Sequence, residues 1–308
     1  MEIFPGDGDF RSTGRTCAWV GDSLFSIMGA VCPNALLGSG WARYDADMPL
    51  LAPMPPIVIP AADLQAWGQK WLVDEAFGKK EGMDFGGVFD AQIGSALATM
   101  LGGIEIITPS AKALLPKKDA VEVGPVRVIG GIRPQNYDVG YRPDGVRFVS
   151  DSKTLNDTKS VGKNFQNMVN DLGTEATTVH IRFPYAVVGF VVVIPTPCLT
   201  GQMRERFTRM LDRLVGRDSP IDVPHKAEAM TLVMWNPADG TVDPTWPPPG
   251  SPLRIDRFSE QVQAAYHERY DGMAPHDRPS AAQKAALEAA GEPVVEPAEE
   301  NEEEEAGA

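Results

Sequence analysis

Three charged residues on two neighbouring predicted strands have the types and spacing of a hydrolytic metal site. Asp138 lies on the first strand, and Asp151 and Lys153 lie on the second. A two-residue Asp144-Gly145 turn would place Asp138 opposite Asp151, with Cβ atoms roughly 4.5–5.5 Å apart. Lys153 lies two residues beyond Asp151 and shares its face of the strand. Carboxylates bind hard divalent cations, and a nearby lysine can orient or activate a water, so the pattern predicts metal-dependent hydrolysis.

The turn between the strands allows a second register. A three-residue turn with Gly145 in the left-handed conformation also suits the sequence. That turn would place Ser150 opposite Asp138 and would send Asp151 to the other face of the sheet. A β-bulge would then be needed to restore the convergence of the two carboxylates. The sequence leaves both registers open.

The elements predicted around this hairpin belong to an α/β core. A strand is predicted over 126–132, a helix over 159–179 and a valine-rich strand over 185–194. The ten-residue valine-rich run is too short to cross a membrane, which takes about 20 residues. The helix prediction rests on apolar residues at spacings of three and four, which are Val161, Phe165, Met168, Leu172, Ala176 and Val179.

Further elements are predicted on both sides of this core. The sequence predicts helices over 22–37, 61–77, 88–101, 200–216 and 257–270, with Thr200 as the cap of the fourth, and short strands over 104–108 and 230–235. A long proline-rich loop is predicted over 236–252.

The hairpin resembles the catalytic core of the PD-(D/E)xK, or restriction-endonuclease-like, nuclease superfamily. Asp138 corresponds to the first acid of that pattern, and Asp151 with Lys153 corresponds to the acid-x-Lys element. Tyr137, rather than proline, precedes the first acid. A literal Pro-Asp pair occurs at the turn, but its Asp144 lies seven positions before Asp151. An odd spacing places the two residues on opposite faces of a continuous strand. The resemblance covers roughly residues 120–200 and implies an α/β core with a central mixed sheet flanked by helices.

The resemblance also implies a chemistry and a substrate. Asp138 and Asp151, with the Ser152 carbonyl, would bind Mg²⁺, and Lys153 would steer a water toward a DNA phosphorus, giving 5′-phosphate and 3′-hydroxyl ends. The implied enzyme is a type II restriction endonuclease that acts on double-stranded DNA as a homodimer. Some members add an acid from a preceding helix, and Glu75 and Asp90 are the two candidates here.

Two polar helix faces are candidate DNA contacts. Lys163, Asn164 and Asn167 share one face of the helix that follows the hairpin, and asparagine can pair with adenine edges. The next helix carries Arg204, Arg209 and Arg213, which can contact phosphates. The alternative interpretation of both sets is that they are ordinary solvated helix faces.

Composition and charge restrict the domain organisation and the choice of partner. The 308 residues predict a mainly helical region over 1–110, a nuclease-like core over 111–271 and a disordered acidic tail over 272–308. The net charge of −14 argues against a DNA partner at first sight. Nine glutamates between Glu288 and Glu305 carry much of it, and without these nine charges −5 remains. A local basic groove is compatible with that balance.

Several other classes of protein are excluded or disfavoured. The chain opens with no basic segment followed by an apolar one, so we expect no signal peptide and a cytoplasmic location. The cysteines Cys17, Cys32 and Cys198 lack zinc spacing, and no Walker A, dinucleotide-binding or HExxH pattern occurs. The alternative to the endonuclease is a non-catalytic DNA-binding or assembly protein with a degenerate nuclease-like core.

Overall fold

The computed structural model describes residues 50–110, 112–117, 119–199 and 201–291. The helix predicted over 22–37, Cys17, Cys32 and the Thr200 cap lie outside the described residues. Over the rest of the chain, alternating helices and strands build the α/β fold that the sequence predicts.

A six-stranded mixed sheet forms the centre of the fold. Its strands are ordered β1-β2-β3-β4-β5-β6 across the sheet. The segment β2-β3-β4 is an antiparallel meander, whereas β1 runs parallel to β2, and β5 and β6 continue parallel to β4. The strands are β1 (Glu105–Ile107), β2 (Ala120–Ile129), β3 (Pro134–Tyr141), β4 (Phe148–Thr154), β5 (Val187–Pro195) and β6 (Ala229–Trp235).

Helices cover both faces of the sheet. The helices are α1 (Ala61–Asp74), α2 (Lys79–Met100), α3 (Val161–His180), α4 (Gly201–Leu211), α5 (Ile255–Tyr270) and α6 (Ala281–Ala290). α3 and α4 pack on one face, and α2 and α5 pack on the other. The parallel strands β5 and β6 are therefore buried on both sides, which explains their continuous apolar sequence. None of the helices within the described residues has the length and apolar character needed to span a bilayer.

α2 begins at Lys79, nine residues earlier than the sequence predicts. Its first turns carry Gly82, Gly86 and Gly87, which weaken both helix propensity and the apolar period. Packing explains why the helix forms nevertheless, because Phe85 and Phe89 are fully buried. Tertiary contacts outweigh a weak local preference here.

The prediction of disorder from Gly272 onward is wrong for residues 272–291. His276 is buried and is hydrogen-bonded through Nε2 to the Tyr266 hydroxyl at 2.8 Å. Ser280 caps α6 and donates its hydroxyl to the Gly102 carbonyl oxygen at 2.5 Å. These contacts anchor a polar segment to the fold. The glutamate-rich end of the predicted tail lies outside the described residues.

Candidate functional site

The β3–β4 ladder has the register that brings Asp138 beside Asp151. Val139 pairs with Ser150, and Tyr141 pairs with Phe148. The register with Ser150 opposite Asp138 is therefore wrong. The predicted two-residue turn is also wrong, because the strands are joined by the six residues 142–147.

An ion pair between two side chains holds this six-residue connection together. The Arg147 guanidinium is buried and donates to both carboxylate oxygens of Asp144, at 2.8 and 2.5 Å. Gly145 has a φ of 144°, which side chains disfavour. The aspartate of the literal Pro-Asp pair therefore belongs to the connection and is not a site residue.

The two strands separate at the position of the carboxylates. The ladder ends at Val139 and Ser150, so Asp138 and Asp151 lie just past the last paired residues. The Ser152 backbone N–H donates to Asp138 Oδ2 at 3.0 Å instead of to the backbone of β3. This side-chain contact leaves carboxylate oxygens of both strands at the open end of the ladder.

Lys153 lies inside the site and does not form a surface ion pair. Its ammonium contacts the Asp151 carboxylate and donates to Glu175 Oε1 at 2.9 Å. The side chains of Lys153, Asp151 and Glu175 are 24%, 8% and 4% exposed. An exposed pair on a strand would contribute only about 0–1 kcal/mol to stability. Both carboxylates are buried and the lysine is largely covered, so this is not an exposed surface pair.

Asp90 is the helix-borne acid of the site. It is buried on α2, and the Ser152 hydroxyl donates to its Oδ1 at 2.5 Å. Glu75, the other candidate, accepts an exposed hydrogen bond from Thr158 at 3.3 Å. Of the two acids that the sequence left unranked, only Asp90 lines the cavity beside Asp138 and Asp151.

Glu175 is a site residue that the sequence prediction missed. It lies on α3 and accepts hydrogen bonds at Oε1 from Lys153 and from Gln135 Nε2, the latter at 3.0 Å. The sequence carried a signal for it, because Glu175 lies between the apolar residues Leu172 and Ala176 of the predicted buried stripe. A charged residue among buried helix positions requires a partner.

The carboxylates of the site repel one another in a buried environment. Burial, a hydrogen bond with Asp151 and the charges of Asp151 and Asp90 raise the pKa of Asp138 to about 9. Burial raises the pKa of Asp90 to about 7, against the opposing hydrogen bond from Ser152. Burial and the Asp151 charge raise the pKa of Glu175 to about 7. Ionisation of all four carboxyls of the site, Asp90, Asp138, Asp151 and Glu175, would therefore place more negative charge there than its one lysine compensates.

Lys153 keeps its proton in this environment. Burial disfavours the charged ammonium, but the Asp151 and Glu175 carboxylates outweigh burial and raise the pKa of Lys153 above its ordinary value. At neutral pH the lysine is thus a hydrogen-bond donor.

A cavity of about 390 Å³ opens over the carboxylates. Gly82, Gly86 and Asp90 follow one another at intervals of four residues along the side of α2 that faces it. Its lining residues are Phe77, Gly78, Lys79, Gly82, Met83, Gly86, Asp90, Asp138, Asp151, Ser152, Thr154 and Asn156. The backbone of α2 at Gly82 and Gly86 therefore forms part of the cavity wall.

The predicted DNA contacts lie outside this cavity. Lys163, Asn164 and Asn167 are exposed on the N-terminal half of α3, so Asn167 is about 12 Å along the helix axis from Glu175. Arg204 is partly engaged by Asp243 at 3.5 Å. Arg209 and Arg213 are exposed. The hydrogen bonds of the described residues link none of these side chains to the carboxylates, and their role in DNA binding stays a prediction.

Within the described part of the chain, no three His, Cys, Asp or Glu side chains form a ready-made metal centre. The three residues predicted to bind Mg²⁺, Asp138, Asp151 and Ser152, all line the cavity at the end of the ladder.

No protein-family model, curated protein or solved structure matches this chain. Function is therefore inferred from the residues and the geometry of the site.

Proposed function

We propose that this chain is a Mg²⁺-dependent endonuclease that hydrolyses phosphodiester bonds of DNA. The observation that carries the proposal is the convergence of Asp138 and Asp151 at the open end of the β3–β4 ladder, where both line a cavity and Asp151 is ion-paired with Lys153. Their positions on the two strands fit the acid and acid-x-Lys pattern of the PD-(D/E)xK superfamily.

The order of elements supports the same proposal. In chain order α2-β1-β2-β3-β4-α3-β5, a helix and a short edge strand precede an antiparallel three-stranded meander, which is followed by a crossover helix and a strand parallel to the last meander strand. This order resembles the restriction-endonuclease-like core. We further propose that two copies act together in the cytoplasm as a sequence-specific restriction enzyme, because a twofold dimer supplies one site for each DNA strand.

The residues of the site fit a hard divalent cation. Asp138, Asp151 and Ser152 line the cavity, and Mg²⁺ prefers oxygen ligands of the kind these residues carry. Gly86 lies next to Ser152, since a Cβ on Gly86 would be 3.9 Å from the Ser152 carbonyl oxygen. Burial and the neighbouring carboxylates raise the pKa of Asp138, and a bound cation would favour its ionised form. Mg²⁺ bound there would supply Lewis-acid stabilisation of the charge that develops on the phosphate.

Lys153 contributes as a charged donor. Because its pKa is raised, its ammonium holds its protons and cannot take one from water at neutral pH. It can donate hydrogen bonds to an attacking water or to a phosphate oxygen, which orients the water and stabilises negative charge. Asp90, in turn, fixes the Ser152 hydroxyl and so the part of β4 between Asp151 and Lys153.

Cleavage of DNA tests the proposed function directly. The purified protein is incubated with mixed plasmid and phage DNA, modified and unmodified, with Mg²⁺ or with EDTA. We expect discrete fragments with 5′-phosphate ends that require Mg²⁺. Intact DNA in every arm, with a folded protein, would reject the endonuclease and favour a non-catalytic DNA-binding or assembly protein.

Filling the glycine wall of the cavity should reduce cleavage without unfolding the protein. A Cβ at Gly86 would lie 3.9 Å from Ser152 Cβ, so a larger residue fits the backbone. Its side chain would extend toward the cavity. We expect Gly86→Leu to lower kcat/KM by about 10²-fold, since displacement of a bound substrate by 1 Å has effects of that size.

Gly87 supplies the matched control for this substitution. It is exposed on α2, and a Cβ there would have no atom within 4 Å. Gly87→Leu brings the same gain in helix propensity, about 1 kcal/mol, but leaves the cavity open. Equal cleavage by the two variants would show that the substrate does not use this wall.

A further inference from the structure

Glu175 occupies an unusual position for a helix glutamate. Its side chain is charged but only 4% exposed, because it packs against the sheet strand that carries Lys153. Oε1 accepts one hydrogen bond from Lys153 Nζ at 2.9 Å and another from Gln135 Nε2 at 3.0 Å. The glutamate thus connects β3 and β4 at the level of the candidate site.

A second contact fixes the helix at this residue. The hydroxyl of Tyr137, which is fully buried, donates to the backbone carbonyl oxygen of Glu175 at 2.9 Å. Tyr137 is the direct neighbour of Asp138 on β3. The helix segment that carries Glu175 is therefore held in register with the strand that carries the first acid of the site.

The other carboxylate oxygen has no donor among the described residues. Oε2 of Glu175 is buried and accepts no hydrogen bond, and burial, helped by the neighbouring Asp151 carboxyl, raises the pKa of Glu175. A buried oxygen without a donor costs folding free energy. Leucine at this position would leave Lys153 and Gln135 without their acceptor, and glutamine would place an N–H donor where Oε2 lies. The partners on the sheet, rather than the packing of α3, therefore account for a carboxylate here.

We propose that Glu175 is the positioning residue for Lys153, holding the ammonium over the carboxylates through Oε1 while Gln135 holds Glu175. This inference rests on the proposed endonuclease function and assigns the reaction a residue outside the acid and acid-x-Lys pattern. Asp151 is shared between Lys153 and the proposed cation. Glu175 lies on α3 and remains a partner of the lysine when Asp151 engages the cation.

Substitutions of Glu175 separate positioning from folding. Glu175→Gln keeps an oxygen acceptor for Lys153, whereas Glu175→Ala removes it. We expect kcat to fall by about 10²-fold in Glu175→Ala and by about tenfold in Glu175→Gln, with KM little changed, because the misplaced group acts only on the reacting phosphate. Asp171→Asn, one turn earlier on the exposed side of α3, removes the same charge and should cut like the wild type.

A second measurement follows Lys153 without any turnover. The metal-free proteins are labelled with a neutral acetylating reagent, and the rate at Lys153 is read by mass spectrometry. Loss of the Glu175 acceptor frees the amine, so labelling of Lys153 should be several-fold faster in Glu175→Ala and unchanged in Asp171→Asn. Thermal unfolding of each variant confirms that it is folded.

The outcomes distinguish this inference from the proposed function. Mg²⁺-dependent cutting by the wild type, together with undiminished kcat and unchanged Lys153 labelling in folded Glu175→Gln and Glu175→Ala, would overturn the role of Glu175 and leave the endonuclease standing. Absence of cutting by the wild type, in any DNA, would overturn both. Reduced kcat with faster Lys153 labelling supports the positioning role.

Discussion

Asp151→Asn is expected to abolish Mg²⁺-dependent DNA cleavage, with a loss of at least about 10³-fold in kcat, while the protein stays folded. Asp151 contacts the Lys153 ammonium and shares the open end of the ladder with Asp138. Asparagine has nearly the same shape and keeps one oxygen acceptor, but it lacks the charge that both the lysine and a cation require.

Two further substitutions complete this prediction. Asp138→Asn removes the other charged ligand of the proposed cation and should be equally damaging. Lys153→Met retains the aliphatic part of the side chain and removes the donor, so kcat should fall by about 10²–10³-fold, the size measured when one hydrogen-bond donor to a developing charge is removed. Single-turnover cleavage of plasmid DNA measures all three variants.

Asp144→Asn is the control that the sequence itself supplies. Asp144 belongs to the literal Pro-Asp pair, but it is 61% exposed and is engaged by Arg147 in the connection between β3 and β4. We expect its cleavage to equal that of the wild type. If Asp144→Asn abolished cutting and Asp138→Asn did not, the first acid of the site would be wrongly assigned.

The sequence left two strand registers open, and the structure selects the one that burial favours. Along β4, Phe148 and Val149 face the cores on opposite sides of the sheet, so a shift of one residue would exchange the two faces. The turn itself was less predictable. Asp144-Gly145 has a strong local preference for a tight hairpin, but the ion pair of Arg147 with Asp144 holds a wider connection.

The rest of the site depends on contacts between elements that are distant in the sequence. Asp90 and Ser152 are 62 residues apart, and Gln135 and Glu175 are 40 apart. Periodicity predicts that α3 packs on the sheet, but it does not say which strand residue lies above Glu175. Likewise the glycines of α2 weakened the prediction of its first turns, although the same glycines form a wall of the cavity.

The metal-free protein should become more stable when Asp138 is replaced with asparagine. The pKa of Asp138 is raised from 3.8 to about 9, mainly by burial and then by its contacts with Asp151. At neutral pH folding therefore requires either protonation of this carboxyl or burial of its charge. We expect Asp138→Asn to raise the free energy of unfolding by about 1–3 kcal/mol at pH 8 in EDTA, a gain of several degrees in Tm.

The sign of the pH dependence follows from the same shift. A carboxyl whose pKa is higher in the folded protein binds more protons there, so its stabilising contribution is present below the unfolded pKa and is lost as the pH rises toward about 9. Asp90 and Glu175, with pKa values raised to about 7, act in the same direction. Glu228, whose pKa is lowered to about 2 by His180 and Arg269 against burial, acts in the opposite direction and loses its contribution in acid.

Metal-free stability is therefore expected to be greatest at a mildly acidic pH, near 4 to 5, and to decline toward pH 9. The decline should be smaller in Asp138→Asn, as measured by urea unfolding in EDTA across this range. Mg²⁺ should restore the stability of the wild type at pH 8, because a cation bound to the folded protein compensates the buried charge and stabilises that state. Asp138→Asn should respond far less to Mg²⁺. A wild type that is equally stable at pH 5 and pH 9 would mean that Asp138 is not a buried uncompensated charge. A variant that gains as much stability from Mg²⁺ as the wild type would mean that Asp138 is not a ligand of the cation, and the endonuclease proposal would lose its metal site.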